Sequence, residues 1–305
     1  MNHASSSAYE RLRAAASQLR VPEAVRAAAA AKPGDPKAGQ IWRAVWNDAV
    51  EIVAITSVDD NAVHAVPVSL ETQFHDSDTM LLPAKASTLD QPFALWRGLS
   101  RRLPWYVLDR QVSQLHVSLG PDGAPTTAGI EYQYGSPLPS PAVQAAEFRS
   151  VLADAMDLLG RAHWAPQGSG TLPALLKQAG LGPTDLIERL DIQPARALGL
   201  LRAQAPLTPK EAHLLAPDLG MTAESVLACN PPLPDRLVHE LSRPVRRVQI
   251  RRLARLTGTA EQEARQQALF ATLALAARQE RPAEADWPGR VDRYFDVHLG
   301  AEDSQ

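Results

Sequence analysis

The sequence predicts an α+β multidomain chain, with a small antiparallel β-barrel ahead of an all-α region. Three observations carry that expectation. From Gly39 to Leu115, short runs rich in Val, Ile and Trp are punctuated by turn residues. From Ser140 onward, apolar residues recur every three or four positions behind helix-capping residues. Between them, residues 118–141 interleave Gly120, Gly123, Gly129 and Gly135 with Pro121, Pro125, Pro137, Pro139 and Pro141, which marks a boundary.

The elements follow in order. Residues 1–37 predict two short helices over 5–31 and a linker. Ser7 and Glu10 have capping-box spacing, Pro22 suits the first turn of the second helix, and Lys32-Pro33-Gly34-Asp35-Pro36 ends it. Residues 38–117 form the β module, with apolar runs over 41–46, 50–58 and 62–70. Asp59-Asp60-Asn61 supplies a tight turn between the last two. Runs over 79–83 and from 105 toward 115 add strands, and 93–103 reads as a short helix. The stretch 118–139 is a linker holding one further strand over 130–134. Residues 140–165 are a connecting helix, opened by Ser140-Pro141 and closed by Gly160. Residues 170–230 predict five short helices, and 231–305 two or three more. Thr208 with Glu211, and Thr259 with Gln262, have capping-box spacing.

Composition bounds the function. The 305 residues suggest about two domains, and a hydrophobic share of 45% with 21% charged describes a folded chain. No apolar run reaches the roughly 20 residues that cross a bilayer, so no membrane partner is expected. Cys229 is the single cysteine, which excludes an internal disulfide and a cysteine-rich zinc module. A net charge of −3 gives no field that would concentrate nucleic acid around the whole molecule. Arginine far exceeds lysine and alanine is abundant, as in a GC-rich bacterial coding sequence. The N-terminus carries arginines without an apolar segment, which predicts a cytoplasmic location rather than secretion. No histidine pair has zinc-binding spacing, and no phosphate-cradling loop, dinucleotide fingerprint or serine elbow occurs. No metal or cofactor is expected. Trp42, Trp46, Trp96, Trp105 and Trp164 read as core or edge anchors, and Trp287 as a staple for the last helix.

Residues 172–228 carry a recognisable rhythm. Helical segments at 172–179, 184–190 and 194–202 are followed by one starting at Thr208 and by Leu215-Ala216-Pro217-Asp218-Leu219-Gly220. This pattern resembles the Cro-type (XRE-like) helix-turn-helix domain. The resemblance implies that the second helix crosses the phosphate backbone while 194–202 enters the major groove. In that slot Gln193, Arg196, Arg202 and Gln204 are the groups able to read bases or grip phosphate, among Ala195, Ala197, Leu198, Gly199, Leu200 and Leu201. Asp191 stands where a turn glycine is usual, and aspartate tolerates the left-handed conformation. The segment has five basic and six acidic residues, so packing or dimerisation is the alternative use of the module. Downstream, residues 231–256 hold seven basic and two acidic residues. On a helix Arg247, Arg251 and Arg255 share one face, which suits a phosphate-tracking stripe. The alternative is internal pairing with Glu261, Glu263 and Glu280 of the following segment.

In the β module, Gly39-Gln-Ile-Trp42, the run 50–58, Ala65-Val-Pro-Val-Ser69 and Val107-Leu-Asp-Arg-Gln-Val-Ser-Gln-Leu115 together resemble the MazF/PemK-like toxins over about 75 residues. The resemblance implies an SH3-like β-barrel, a homodimer and metal-independent cleavage of single-stranded RNA. Two departures stand out. Asn47-Asp48-Ala49 occupies the place of the family's Arg-Pro, and Ser69 that of its threonine. A ribonuclease here would need a base, an acid and a phosphate-binding cation from elsewhere. His75, Asp76, Arg97 and Arg101 are the candidates, with Arg102 beside them.

The expected architecture is thus a small SH3-like β-barrel followed by an all-α helix-turn-helix and helical bundle. The leading expectation for function is a DNA-binding regulator related to toxin–antitoxin or defence systems, with an inactive barrel. The alternatives are a metal-independent RNA endonuclease and a non-enzymatic protein-interaction adaptor. DNA, RNA, a second copy of the chain and a cognate protein are the partners these readings imply.

Overall fold

In the computed structural model the described residues are 33–120, 123–126, 131–135, 142–165, 168–203, 205–276 and 286–300, with single positions at 23, 27 and 31. The two helices expected over 5–31 fall almost wholly outside them. The fold is α+β, an antiparallel sheet followed by helices. The chain divides into two compact units, residues 1–162 and 163–305. The division falls after the connecting helix, which packs in the first unit, and not within the Pro/Gly-rich stretch 118–139.

The described residues of the first unit include eight strands: β1 (Gln40–Trp46), β2 (Ala49–Val58), β3 (Ala62–Ser69), β4 (Thr79–Leu82), β5 (Phe93–Trp96), β6 (Arg101–Pro104), β7 (Leu108–Gln114) and β8 (Gln133–Tyr134). They pair antiparallel in the open order β7-β1-β2-β3-β5-β4-β8, with β6 also on β3. β1 and β2 join through a two-residue turn at Asn47, whose φ of 47° an asparagine accepts. β2 turns into β3 through Asp59-Asp60-Asn61, closed by Asp59 N–H donating to the Ala62 carbonyl at 2.8 Å.

β3 does two jobs. Its first half, Ala62 to Ala65, pairs with β6, while Val68 and Ser69 pair with β5. The strand therefore passes from one ladder to another. A bridge between Ser87 and Leu115 brings the segment after β4 against the end of β7.

The core inside this bent sheet is Ile41, Ala54, Val66, Met80, Leu82, Phe93, Leu95 and Leu115. Helix α1 (Ala142–Gly160) covers the opposite face of β5. Leu152 packs with Ala94, Trp96 and Leu99, and the Phe148 ring lies 5.0 Å from Phe74 and 5.7 Å from Trp96. This explains why 93–103 is not the helix its sequence suggests. Phe93 and Leu95 enter one core and Ala94 and Trp96 the other, so an unbroken apolar run is a strand buried on both faces.

The second unit begins with five helices: α2 (Leu172–Gln178), α3 (Pro183–Leu190), α4 (Pro194–Leu201), α5 (Pro209–Leu219) and α6 (Ala223–Leu227). Pro183, Pro194 and Pro209 each open a helix, where a missing N–H costs nothing. Thr208 caps α5, accepting from the Glu211 N–H while Glu211 accepts from the Thr208 N–H at 2.7 Å. Their shared core is Leu172, Leu176, Leu186, Leu190, Ala197, Leu200, Leu215 and Val226. Among the described residues four helices follow where two or three were expected: α7 (Asp235–Ser242), α8 (Pro244–Thr257), α9 (Glu261–Ala276) and α10 (Trp287–Leu299). The additional break falls at Arg243, held extended ahead of Pro244. Among the described residues no helix is long and apolar enough to cross a membrane.

Asn230 ties the end of α6 to the segment leading into α5. Its side chain, 1% exposed, accepts from the Leu207 N–H at 2.7 Å and donates to the Leu207 carbonyl at 3.0 Å. Asn230→Ala strands both backbone groups. It is expected to lower unfolding free energy by about 2–3 kcal/mol in urea titration, whereas Asn230→Asp restores the acceptor alone and recovers part of the loss.

Candidate functional site

The turn between α3 and α4 is built as the residues predict. Asp191 closes α3 with φ 52° and ψ 52°, in the left-handed region. Gln193, extended at the head of α4, is exposed, and so are Ala195, Leu198 and Arg202. Gln204 lies outside the described residues.

Arg196 is placed otherwise than expected. It points to α5, where Nε and one terminal nitrogen each donate to a Glu211 carboxylate oxygen at 2.6 Å and the guanidinium also reaches the Pro206 carbonyl at 3.1 Å. The partner carboxylate is 9% exposed. A two-point charge-assisted pair of this kind fixes the arginine in place. Arg196 therefore staples α4 to α5 rather than offering itself to a base.

The stripe on α8 is corrected in the same way. Arg247 is buried, with Nε 2.8 Å from Glu261 Oε1. Arg251 Nε donates to Glu261 Oε2 at 3.1 Å, and Arg265 of α9 donates to Glu261 Oε1 at 2.9 Å. Arg255 is exposed and donates to the Arg251 carbonyl at 3.2 Å. Glu240 takes Arg246 and Arg243, the latter at 3.1 Å, and Arg246 also meets Asp292. The helical period does set these arginines along α8, but Arg247 and Arg251 turn toward Glu261 of α9, and Arg255 is the member of the three left exposed. Burial pushes the Glu211 and Glu261 carboxyls up. The guanidiniums beside them outweigh it and hold both below the ordinary glutamate value.

In the first unit, His75, Asp76 and Arg97 come into one neighbourhood. His75 follows a 3₁₀ turn and hydrogen-bonds the Thr72 carbonyl through Nδ1 at 2.8 Å. Asp76 accepts from Thr79 Oγ1 at 2.8 Å and from the Asp78 N–H at 2.9 Å, and pairs with Arg149 of α1. The Arg149 guanidinium also reaches Asp78 at 3.2 Å. Gly98 packs against that pair and Gly135 against the Asp76 carbonyl, where a Cβ would fall within 2.9 Å and 2.0 Å of its neighbours. Arg97 sits 5.2 Å over the Tyr134 ring. Arg101 does not join them. It donates to Asp157 at 2.6 Å, eight residues or about 12 Å along α1 from Arg149. Arg102 pairs with Asp59 at 3.1 Å. The cluster fastens α1 to the sheet edge, with Asp76 already neutralised by Arg149.

Sequence reasoning passed over Glu51. It lies on β2 opposite Ala44, half-buried, and burial alone lifts its carboxyl to about 7. The signal was present as an acid between Val50 and Ile52 in an apolar strand. Among the described residues no group of three or more His, Cys, Asp or Glu is arranged to hold a metal ion. No family model, curated protein or solved structure matches the chain.

Two pH responses of opposite sign follow. Glu51 is raised in the folded state, so its contribution to stability is full below the ordinary value of 4.5 and is lost as pH rises through about 7. Glu51→Gln is expected to raise the urea midpoint at alkaline pH and leave it nearly unaltered at acid pH. Glu261 is lowered, so its contribution is full above 4.5 and is lost as pH falls through the lowered value. Glu261→Gln removes the carboxylate that the buried Arg247 and Arg265 share. Denaturant titration at neutral pH is expected to show a loss of about 3–5 kcal/mol, shrinking toward acid pH.

Proposed function

We propose that this chain is a non-enzymatic regulatory adaptor, in which a helix-turn-helix-like module and a small SH3-like β-barrel serve protein interactions. The observation that carries this reading is the internal use of charge. Arg196, Arg247 and Arg251, offered by the sequence as DNA contacts, are each held by a carboxylate of the same unit. The outward side of α4 is left with Gln193, Ala195, Leu198 and Arg202, a small, mixed surface of the kind a protein partner buries. In the first unit, Asp76 and Arg101 are likewise committed to Arg149 and Asp157, which speaks against an RNA-cleaving site there. The open ladder with its Ser87–Leu115 bridge and doubly paired β3 suits a half-closed barrel of the SH3-like kind.

DNA binding is the second reading. It is favoured by the left-handed Asp191 between α3 and α4, with Gln193, Arg202 and Arg255 exposed. The two are separated by titrating the full chain against pooled random DNA duplexes over a range of salt. Binding weaker than about 10⁻⁴ M at low salt, with a log–log slope shallower than about −2, is expected for the adaptor. A slope near −5, reflecting about six phosphate contacts, would overturn it in favour of DNA.

A further inference from the structure

The second unit has a cavity of about 580 Å³ that opens to solvent. Its walls come from α8, α9 and α10 on one side and from the segment leading into α5 on the other. The size matches sites that take one small organic molecule, about 300–1,000 Å³. Leu253, Phe270 and Leu273 give it a mainly apolar wall.

Its polar lining mixes donors and acceptors, with His298 and the Gln266 and Gln267 amides among them. Tyr294 lines the cavity, is 4% exposed, and its ring lies 4.2 Å from the His298 imidazole, which lines the cavity as well. Burial pushes that phenol up, so it stays a neutral donor at neutral pH. Two cations also line the cavity. Arg196 is already neutralised by Glu211, whereas Lys210, exposed in the first turn of α5, pairs with no described carboxylate. Lys210 also stands at the positive end of an eleven-residue helix. The one lining carboxylate, Glu263, is exposed in the first turn of α9.

We propose that this cavity binds a small apolar carboxylate, its hydrocarbon body against Leu253, Phe270 and Leu273 and its anionic head taking the Tyr294 O–H and the Lys210 ammonium. The site goes beyond the adaptor reading and stands without it, because its test needs neither partner nor DNA.

The test titrates the full chain at neutral pH with anilinonaphthalene sulfonate, a fluorescent apolar anion, and then displaces it with decanoate, decanol or decylamine. One saturable site per chain is expected, with decanoate displacing the dye about tenfold better than decylamine. Ala271→Trp fills the lining and is expected to weaken dye binding at least about tenfold. Lys210→Glu, at an exposed position, is expected to weaken decanoate about fivefold or more and to leave decanol unchanged. Absence of saturable binding overturns the proposal. So does dye binding unchanged in an Ala271→Trp chain with native near-ultraviolet dichroism, and so does a preference for decylamine, which would make Glu263 the anchor. Should Ala271→Trp fail to fold, Lys210→Glu decides alone, and unchanged decanoate affinity overturns the site.

Discussion

One carboxylate, Glu261, organises the C-terminal helices. It receives Arg247 and Arg251 from α8 and Arg265 from its own helix, and Arg247 and Arg265 are almost fully buried. Two guanidiniums withdrawn from water require an anion nearby, because desolvating each without one costs several kcal/mol. Glu261 meets that requirement from the first turn of α9, where the positive end of the helix also favours an acid. Arg265 then donates to the Leu241 carbonyl and lies 5.5 Å over the Trp164 ring, which draws α7 and the start of the unit onto the same centre. Glu240 repeats the device with Arg243 and Arg246, and Glu211 repeats it between α4 and α5. The arginines held by these three carboxylates are therefore structural first. A basic run in sequence becomes a neutralised seam once its helices pack.

That outcome bears on what was legible in the sequence. The five short helices of 172–228 were readable because proline, threonine and aspartate mark their ends by local chemistry alone. Asp191 was readable for the same reason. The fate of Arg196 and Arg247 was not, because a helical period places side chains on a common face without saying whether that face meets water or a carboxylate fifteen or fourteen residues away. Glu261 was visible as a nearby acid, but its partners depend on how α9 returns along α8. The cavity was out of reach altogether, since Tyr294, Lys210 and Phe270 come from segments far apart in the chain.

The β unit shows the same limit from another side. Its first three strands and their turns were legible from alternation and from Asp59-Asp60-Asn61. The run 93–103 misled because both faces of β5 are buried, which erases the alternation that identifies a strand. What buries the second face is α1, nearly fifty residues later.

That separation has a consequence for how the chain is made. β3 must find β6 and β5 across intervening loops, and β1 must wait for β7, so the sheet depends on contacts between distant residues and forms slowly. Synthesis delivers these strands first, yet Trp96, Ala94 and Phe74 keep an apolar face open until α1 has emerged. The helices of 172–227, whose contacts are mostly local, have no such delay. The nascent β unit is thus the aggregation-sensitive stage of biogenesis, and the arrival of Phe148 and Leu152 is the event that ends it.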